Sequence, residues 1–269
     1  MPNHGQSSMM SLAQHLAGQP RPLAIAHRGG ALLGPENTAA TFRAAASAGA
    51  ALVETDVRLS ADGALVCLHD ADLTRVTGDP RRVAELDLAT LRRLLPGLMT
   101  LDEAIAASQP LGLLLDVKLS DAVVLRAILA RIDAAGAGAR VLLGLRSLPL
   151  VAAARHVAPD IAILALAGDP CSAPEARRAG AGWFRLWEAD ATDARVAAVR
   201  AEGLMLVVMV GQPRDSALPE HPPFPVGQID AAGIAALMRL SPDAVMLDDP
   251  RLLIAAREAA APVTALSSS

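Results

Sequence analysis

Between residues 20 and 260 the chain alternates two patterns. Short, almost wholly apolar runs are followed by longer segments in which apolar side chains recur every three or four positions. The apolar runs at 23–27, 52–57, 111–118, 141–145, 161–166, 182–187, 204–210 and 244–247 predict strands. The periodic segments at 38–48, 101–107, 122–135, 150–157, 174–179, 193–201, 231–239 and 251–260 predict helices, with Gly or Pro punctuating the joins. Roughly eight strand–helix units close a barrel. Strands apolar along nearly their whole length suit a parallel sheet covered by helices. An open doubly wound sheet uses the same alternation. However, no GxGxxG or GxxxxGK[ST] loop follows the first strand, which removes its usual nucleotide-binding forms. The expected fold is a single α/β domain, a (β/α)₈ TIM barrel.

Two segments break the rhythm. Residues 64–68 predict an extra short strand after strand two, with Asp62-Gly63 as its turn. Residues 211–228 carry Pro213, Pro219, Pro222, Pro223 and Pro225, which forbid a regular element. Both follow a strand and so fall on the face where barrel active sites lie. Residues 1–20 read as a polar N-terminal extension with one weak helical turn. Residues 21–262 read as the barrel, with a short capping insertion at about 59–99, and 263–269 as a C-terminal tail.

Composition narrows the function. The chain has 24 basic and 28 acidic residues, so no basic excess favours nucleic acid or an anionic membrane. Aromatics are 2% with no Tyr, which removes a stacking platform for single strands. No apolar run is long enough to span a bilayer and the first twenty residues do not resemble a signal peptide, so a cytoplasmic enzyme without stable membrane insertion is expected. Cys67 and Cys171 lack metal or redox spacing and are expected as buried free thiols. Oligomeric state is not legible.

Chemistry collects at the strand ends. Residues two apart on a strand share a face, so Glu54 with Asp56, and Asp116 with Lys118, point into one mouth. His27-Arg28 ends the first strand, and Asp248-Asp249 ends the eighth, its neighbour in a closed barrel. Three crowded carboxylates require a cation, and oxygen ligands favour Mg²⁺ or Ca²⁺. Arg28 offers a fork for phosphate, Lys118 a point charge, and two histidines can share acid and base roles. This set suits phosphate-ester chemistry. Asp70 reads as a turn former, and Trp183 and Trp187 as outer-face packing.

The stretches AHRGG at 26–30, PENT at 35–38, ETD at 54–56, ADG at 61–63 and HDADLTRVTG at 69–78 resemble the glycerophosphodiester phosphodiesterase family. TLDEAI at 100–105, DVK at 116–118 and PDAVMLDDP at 242–250 extend the resemblance. It implies a (β/α)₈ barrel that hydrolyses a small-molecule phosphodiester to glycerol 3-phosphate and an alcohol. It implies His27 and His69 as the acid/base pair, and Arg28 and Lys118 as phosphate and substrate ligands. Glu54, Asp56 and Asp116 are implied as metal ligands, with Glu36 near the metal. Which histidine is the acid stays open, as does attack by water or by the glycerol 2-hydroxyl.

Three departures stand out. Asp116 replaces the family's usual Glu. The seventh strand ends Val207-Val208-Met209-Val210 where the family has a Trp-Thr pair, and the loop after it is long. Glu188, ending the sixth strand, is a candidate polar contact for the organic group. A lysophospholipase D-like enzyme would instead need an apolar lip on the capping insertion or the Pro-rich loop, with Leu94, Leu95, Leu98 and Met99 as candidates. A barrel that only binds a phosphorylated metabolite is the remaining alternative.

Overall fold

A computed structural model describes residues 11–211 and 226–260. Most of the Pro-rich segment, the C-terminal tail, His4 and His221 lie outside the described residues. The chain begins with α1 (Leu12–His15), β1 (Leu23–Ala26), α2 (Ala39–Ser47) and β2 (Leu52–Leu59). An insertion follows: β3 (Leu65–Cys67), β4 (Asp72–Leu73), α3 (Thr74–Thr77), β5 (Asp79–Arg82) and α4 (Leu88–Leu94). The alternation resumes with α5 (Leu101–Ala107), β6 (Gly112–Val117), α6 (Ala122–Ala134), β7 (Val141–Leu145), α7 (Leu148–Val157), β8 (Ala162–Ala165) and α8 (Ala173–Ala179). It ends with β9 (Trp183–Trp187), α9 (Asp193–Ala201), β10 (Met205–Met209), α10 (Ala231–Arg239), β11 (Ala244–Leu247) and α11 (Pro250–Ala260).

Strands β1, β2, β6, β7, β8, β9, β10 and β11 pair in parallel in that order, and β11 returns to β1. This is the closed (β/α)₈ barrel expected from the pattern. Strand β3 adds antiparallel to the far end of β2. Side-chain polarity sets the helix starts: Thr38, Asp87, Thr100, Asp121, Ser147, Thr192 and Asp230 each accept a backbone N–H of the first turn.

Strand alternation sorts the core into two layers. Ala24, Val53, Leu113, Leu115, Phe184 and Leu186 face the helices. Leu23, Ile25, Leu52, Leu114, Leu142, Leu164 and Val207 fill the barrel. The expected polar extension contributes to this inner layer. The turn α1 buries Leu12 and Leu16 against it, next to the strand starts Leu23 and Leu52. The insertion has its own small core of Val66, Leu68, Leu73, Val83, Leu86, Leu91 and Leu98.

The structure corrects several expectations. Leu94 and Leu95 pack on that small core, while Leu98 and Met99 are buried, so these four side chains do not form an apolar lip. Cys171 is exposed; only Cys67 is the buried thiol, and burial pushes it up to about 12. Among the described residues, no helix is long and apolar enough to cross a membrane.

Candidate active site

The period of two that fills the barrel also builds the site. Continuing inward from Leu52, Glu54 and Asp56 face the interior, and Asp116 sits opposite Asp56 in the β2–β6 register. One carboxylate oxygen from each of Glu54, Asp56 and Asp116 lies within 4.8 Å of the others, and all three residues are buried. Burial, then the charges of Asp56 and Asp116, raise the Glu54 carboxyl well above the usual range. Burial also opposes ionisation of Asp56, but Lys118 and His69 together hold that group low. Asp116 is likewise held low against burial by Lys118 and Arg146.

The donors around this group leave openings for a cation. Asp56 Oδ1 forms an ion pair with Lys118 Nζ at 2.8 Å but receives no hydrogen bond. Its Oδ2 accepts from Asn37 Nδ2 at 3.3 Å, and Asn37 Oδ1 accepts from Thr55 Oγ1 at 2.7 Å. Asp116 Oδ1 accepts Arg146 Nε at 2.8 Å; Oδ2 accepts Arg146 Nη2 at 2.5 Å and Lys118 Nζ at 2.6 Å. Oδ1 therefore keeps a lone pair. A buried set of three carboxylates whose oxygens converge, one of them raised by its neighbours' charge, fits a hard divalent cation.

The turn after β1 carries His27 and Arg28. Arg28 adopts the left-handed conformation at φ 51°, and its N–H donates to Glu54 Oε2 at 2.6 Å. Its Nη1 donates to Glu36 Oε2 at 3.0 Å, whereas its buried Nε has no partner. Each histidine is held by a carboxylate. His27 Nδ1 lies 2.7 Å from Asp248 Oδ1, and His69 Nδ1 lies 2.8 Å from Asp70 Oδ1. Both arrangements direct Nε2 away from the supporting carboxylate. Burial holds His69 below its ordinary range despite the pull of Asp56. Arg58 fixes the His69 backbone by donating to its carbonyl from Nε at 2.9 Å and Nη2 at 2.6 Å.

His27, Arg28, Glu54, His69, Asp116 and Lys118 line one cleft of about 560 Å³ at the C-terminal end of the barrel. That volume suits a small molecule. Two further residues expected in the site, Glu36 and Glu188, each hold a neighbouring group. Glu36 accepts from Arg28 and from Arg75, and is not one of the three-carboxylate group. Two arginines outweigh its burial and hold it low. Glu188 Oε2 accepts the Gly211 N–H at 2.7 Å, tying the turn after β9 to the one after β10. It does not line the cleft.

Other residues were missed. Asp70, expected as a turn former, braces His69, and Arg75 Nε donates to Asp70 Oδ2 at 2.5 Å. Trp187, expected on the outer face, lines the cleft together with Arg146 and Arg185, while Trp183 lies in the barrel interior. The signal was Arg185, in phase with both tryptophans on one strand.

Comparison with known proteins agrees with this geometry. The sequence model of the glycerophosphoryl diester phosphodiesterase family matches residues 27–251. Glycerophosphodiester phosphodiesterase 1 of Bos taurus is 45% identical over 83 residues, covering 31% of this chain and 25% of that protein. The chain thus matches about a quarter of the length of that curated relative. A glycerophosphodiester phosphodiesterase structure from Parabacteroides distasonis superposes with a TM-score of 0.73 at 18% identity, covering 88% of this chain and 97% of that one. An Oleispira antarctica phosphodiesterase, solved with the product sn-glycerol-3-phosphate, superposes with a TM-score of 0.72 at 24% identity, covering 88% and 97%.

Proposed function

Because the chain belongs to the glycerophosphoryl diester phosphodiesterase family, we propose that it hydrolyses glycerophosphodiesters to glycerol 3-phosphate and an alcohol. The observation that carries this reading is one cleft holding two carboxylate-braced histidines, a cation-fitting triad and Arg28. The product bound to the Oleispira antarctica phosphodiesterase is the one expected here.

Glu54, Asp56 and Asp116 would hold Mg²⁺ or Ca²⁺, which supplies positive charge to phosphoryl oxygens when bound. Arg28, which lines the cleft, supplies its guanidinium charge to the phosphoryl group, and Lys118 places a second positive charge beside Asp56 and Asp116. Glu36 keeps the Arg28 fork aimed, and Asn37 keeps Asp56 aimed. His69, neutral at pH 7, takes the proton from the attacking oxygen as its bond to phosphorus forms. The bond from phosphorus to the alcohol oxygen breaks, and the departing oxygen takes a proton from His27. Asp248 holds the His27 ring through Nδ1, so that Nε2 is the nitrogen that delivers that proton. The barrel and its insertion at about 59–99 act as one catalytic unit, since the insertion contributes His69 and Arg75.

The test is release of glycerol 3-phosphate from glycerophosphocholine with and without Mg²⁺ or Ca²⁺. Turnover should require the metal, and His27→Ala or His69→Ala should each lower kcat by roughly 10²–10⁴-fold with folding intact. Full activity in both variants would sink the assignment.

A further inference from the structure

The cleft wall away from the carboxylates contains a cation that the chemistry above does not use. Arg185 is 7% exposed, on β9. Its polar contacts are long: Nη2 donates to the carbonyls of Leu166 at 3.5 Å and Ala167 at 3.4 Å. No carboxylate among the described residues forms an ion pair with it, and the nearby Arg146 is spent on Asp116. Burial, then repulsion from Arg146, lowers its guanidinium to about 10, so it is charged at pH 7. Burying a charge without a counter-charge is unfavourable, so a site that does so gains from an anion that can reach it. The Arg185 guanidinium stacks on Trp187, 4.6 Å from the ring centroid, which holds its plane but does not neutralise it.

Position says what the charge addresses. Around the barrel, β9 stands four strands from β2, on the opposite side of the mouth from Glu54 and Asp56. The phosphoryl group already meets Arg28 and Lys118 on the β1, β2 and β6 side. A second anion-binding group across the mouth therefore reaches the organic part of a substrate seated between.

Resting on the phosphodiesterase reading, we propose that Arg185, backed by Trp187, is a subsite for a second anionic group, carboxylate or phosphate, on the alcohol half of the diester. It makes this cleft selective for diesters whose released alcohol is itself negatively charged.

Two substrate pairs test it, each differing by one anionic group. Glycerophosphoserine against glycerophosphoethanolamine adds a carboxylate. Glycerophosphoinositol 4-phosphate against glycerophosphoinositol adds a phosphate. The expected result is a kcat/KM at least tenfold higher for the anionic member of one pair, and which pair responds identifies the anion. Arg185→Gln should bring that ratio close to one, mainly through KM, and Arg185→Lys should restore part of it. Ratios near one in both pairs for the wild-type chain overturn the subsite while leaving the phosphodiesterase reading intact. So does an equal loss on both members in Arg185→Gln. If the Gln variant misfolds, the wild-type ratios still decide. No turnover of any of the four overturns both readings.

Discussion

Asp70 and Asp248 set how the two histidines behave. If His69 is the base, kcat/KM falls as acid protonates it, and burial places that limb below the ordinary value of 6.5. The hydrogen bond that His69 Nδ1 donates to Asp70 acts in the opposite direction, pulling the His69 value up. Asp70→Asn removes that negative charge, so the acid limb of a kcat/KM–pH profile should move to still lower pH. A limb that stays in place, or moves up, contradicts the base role; movement of the alkaline limb instead would make His69 the acid. By strand phase alone the legible residues were those at the strand ends, while His27, Arg28, His69 and Glu36 took their roles from the family motifs. Glu54, Asp56, Asp116 and Lys118 follow from a period of two alone. Asn37, Glu36 and Arg75 act from turns and from the insertion, where no period fixes a direction. Arg146 lies one residue beyond β7, so strand phase did not reach it either.

The turn after β1 shows what an element must tolerate to place a catalytic residue. Gly29 sits at φ 80°, and a Cβ there would lie 2.7 Å from Phe42 Cδ1. Phe42 is fully buried and cannot swing aside. Gly29→Ala therefore combines a left-handed backbone with overpacking, and should cost roughly 2–4 kcal/mol. Urea denaturation should show a lower midpoint at unchanged slope; a loss under about 0.5 kcal/mol would mean that the turn relaxes freely. Most element positions were readable. The runs at 141–145 and 244–247 match β7 and β11, and the remaining strands end within two residues of the pattern. The face of β9 was not readable, because Trp-Phe-Arg-Leu-Trp is bulky or apolar in both phases apart from one arginine. Hydrophobicity alone could not say which phase points inward, and so the cleft's aromatic wall was assigned outside.

At the scale of the whole molecule, the barrel divides its labour between its two ends. The C-terminal end holds the charged cleft, and the N-terminal end is closed by Leu12 and Leu16 of the short extension. Polarity along 1–20 hid this role, since two leucines four apart make only a single turn of an apolar face; the barrel's floor gives them their partner. Each is 4% exposed. Losing such a side chain costs roughly 2–5 kcal/mol when the surroundings cannot collapse. Here the figure is bounded, because α1 is four residues long and can undock locally without unfolding the barrel. Leu12→Ala and Leu16→Ala should each lower the Tm by several degrees, at ~2–4 °C per kcal/mol for a chain of this size. The double variant should lose less than the sum, because once α1 undocks neither side chain contributes. Both should keep the wild-type kcat and KM for a diester, since the barrel interior separates them from the cleft. A raised KM in either single variant would show that the floor and the mouth are coupled, and would end the division between a stability face and a working face.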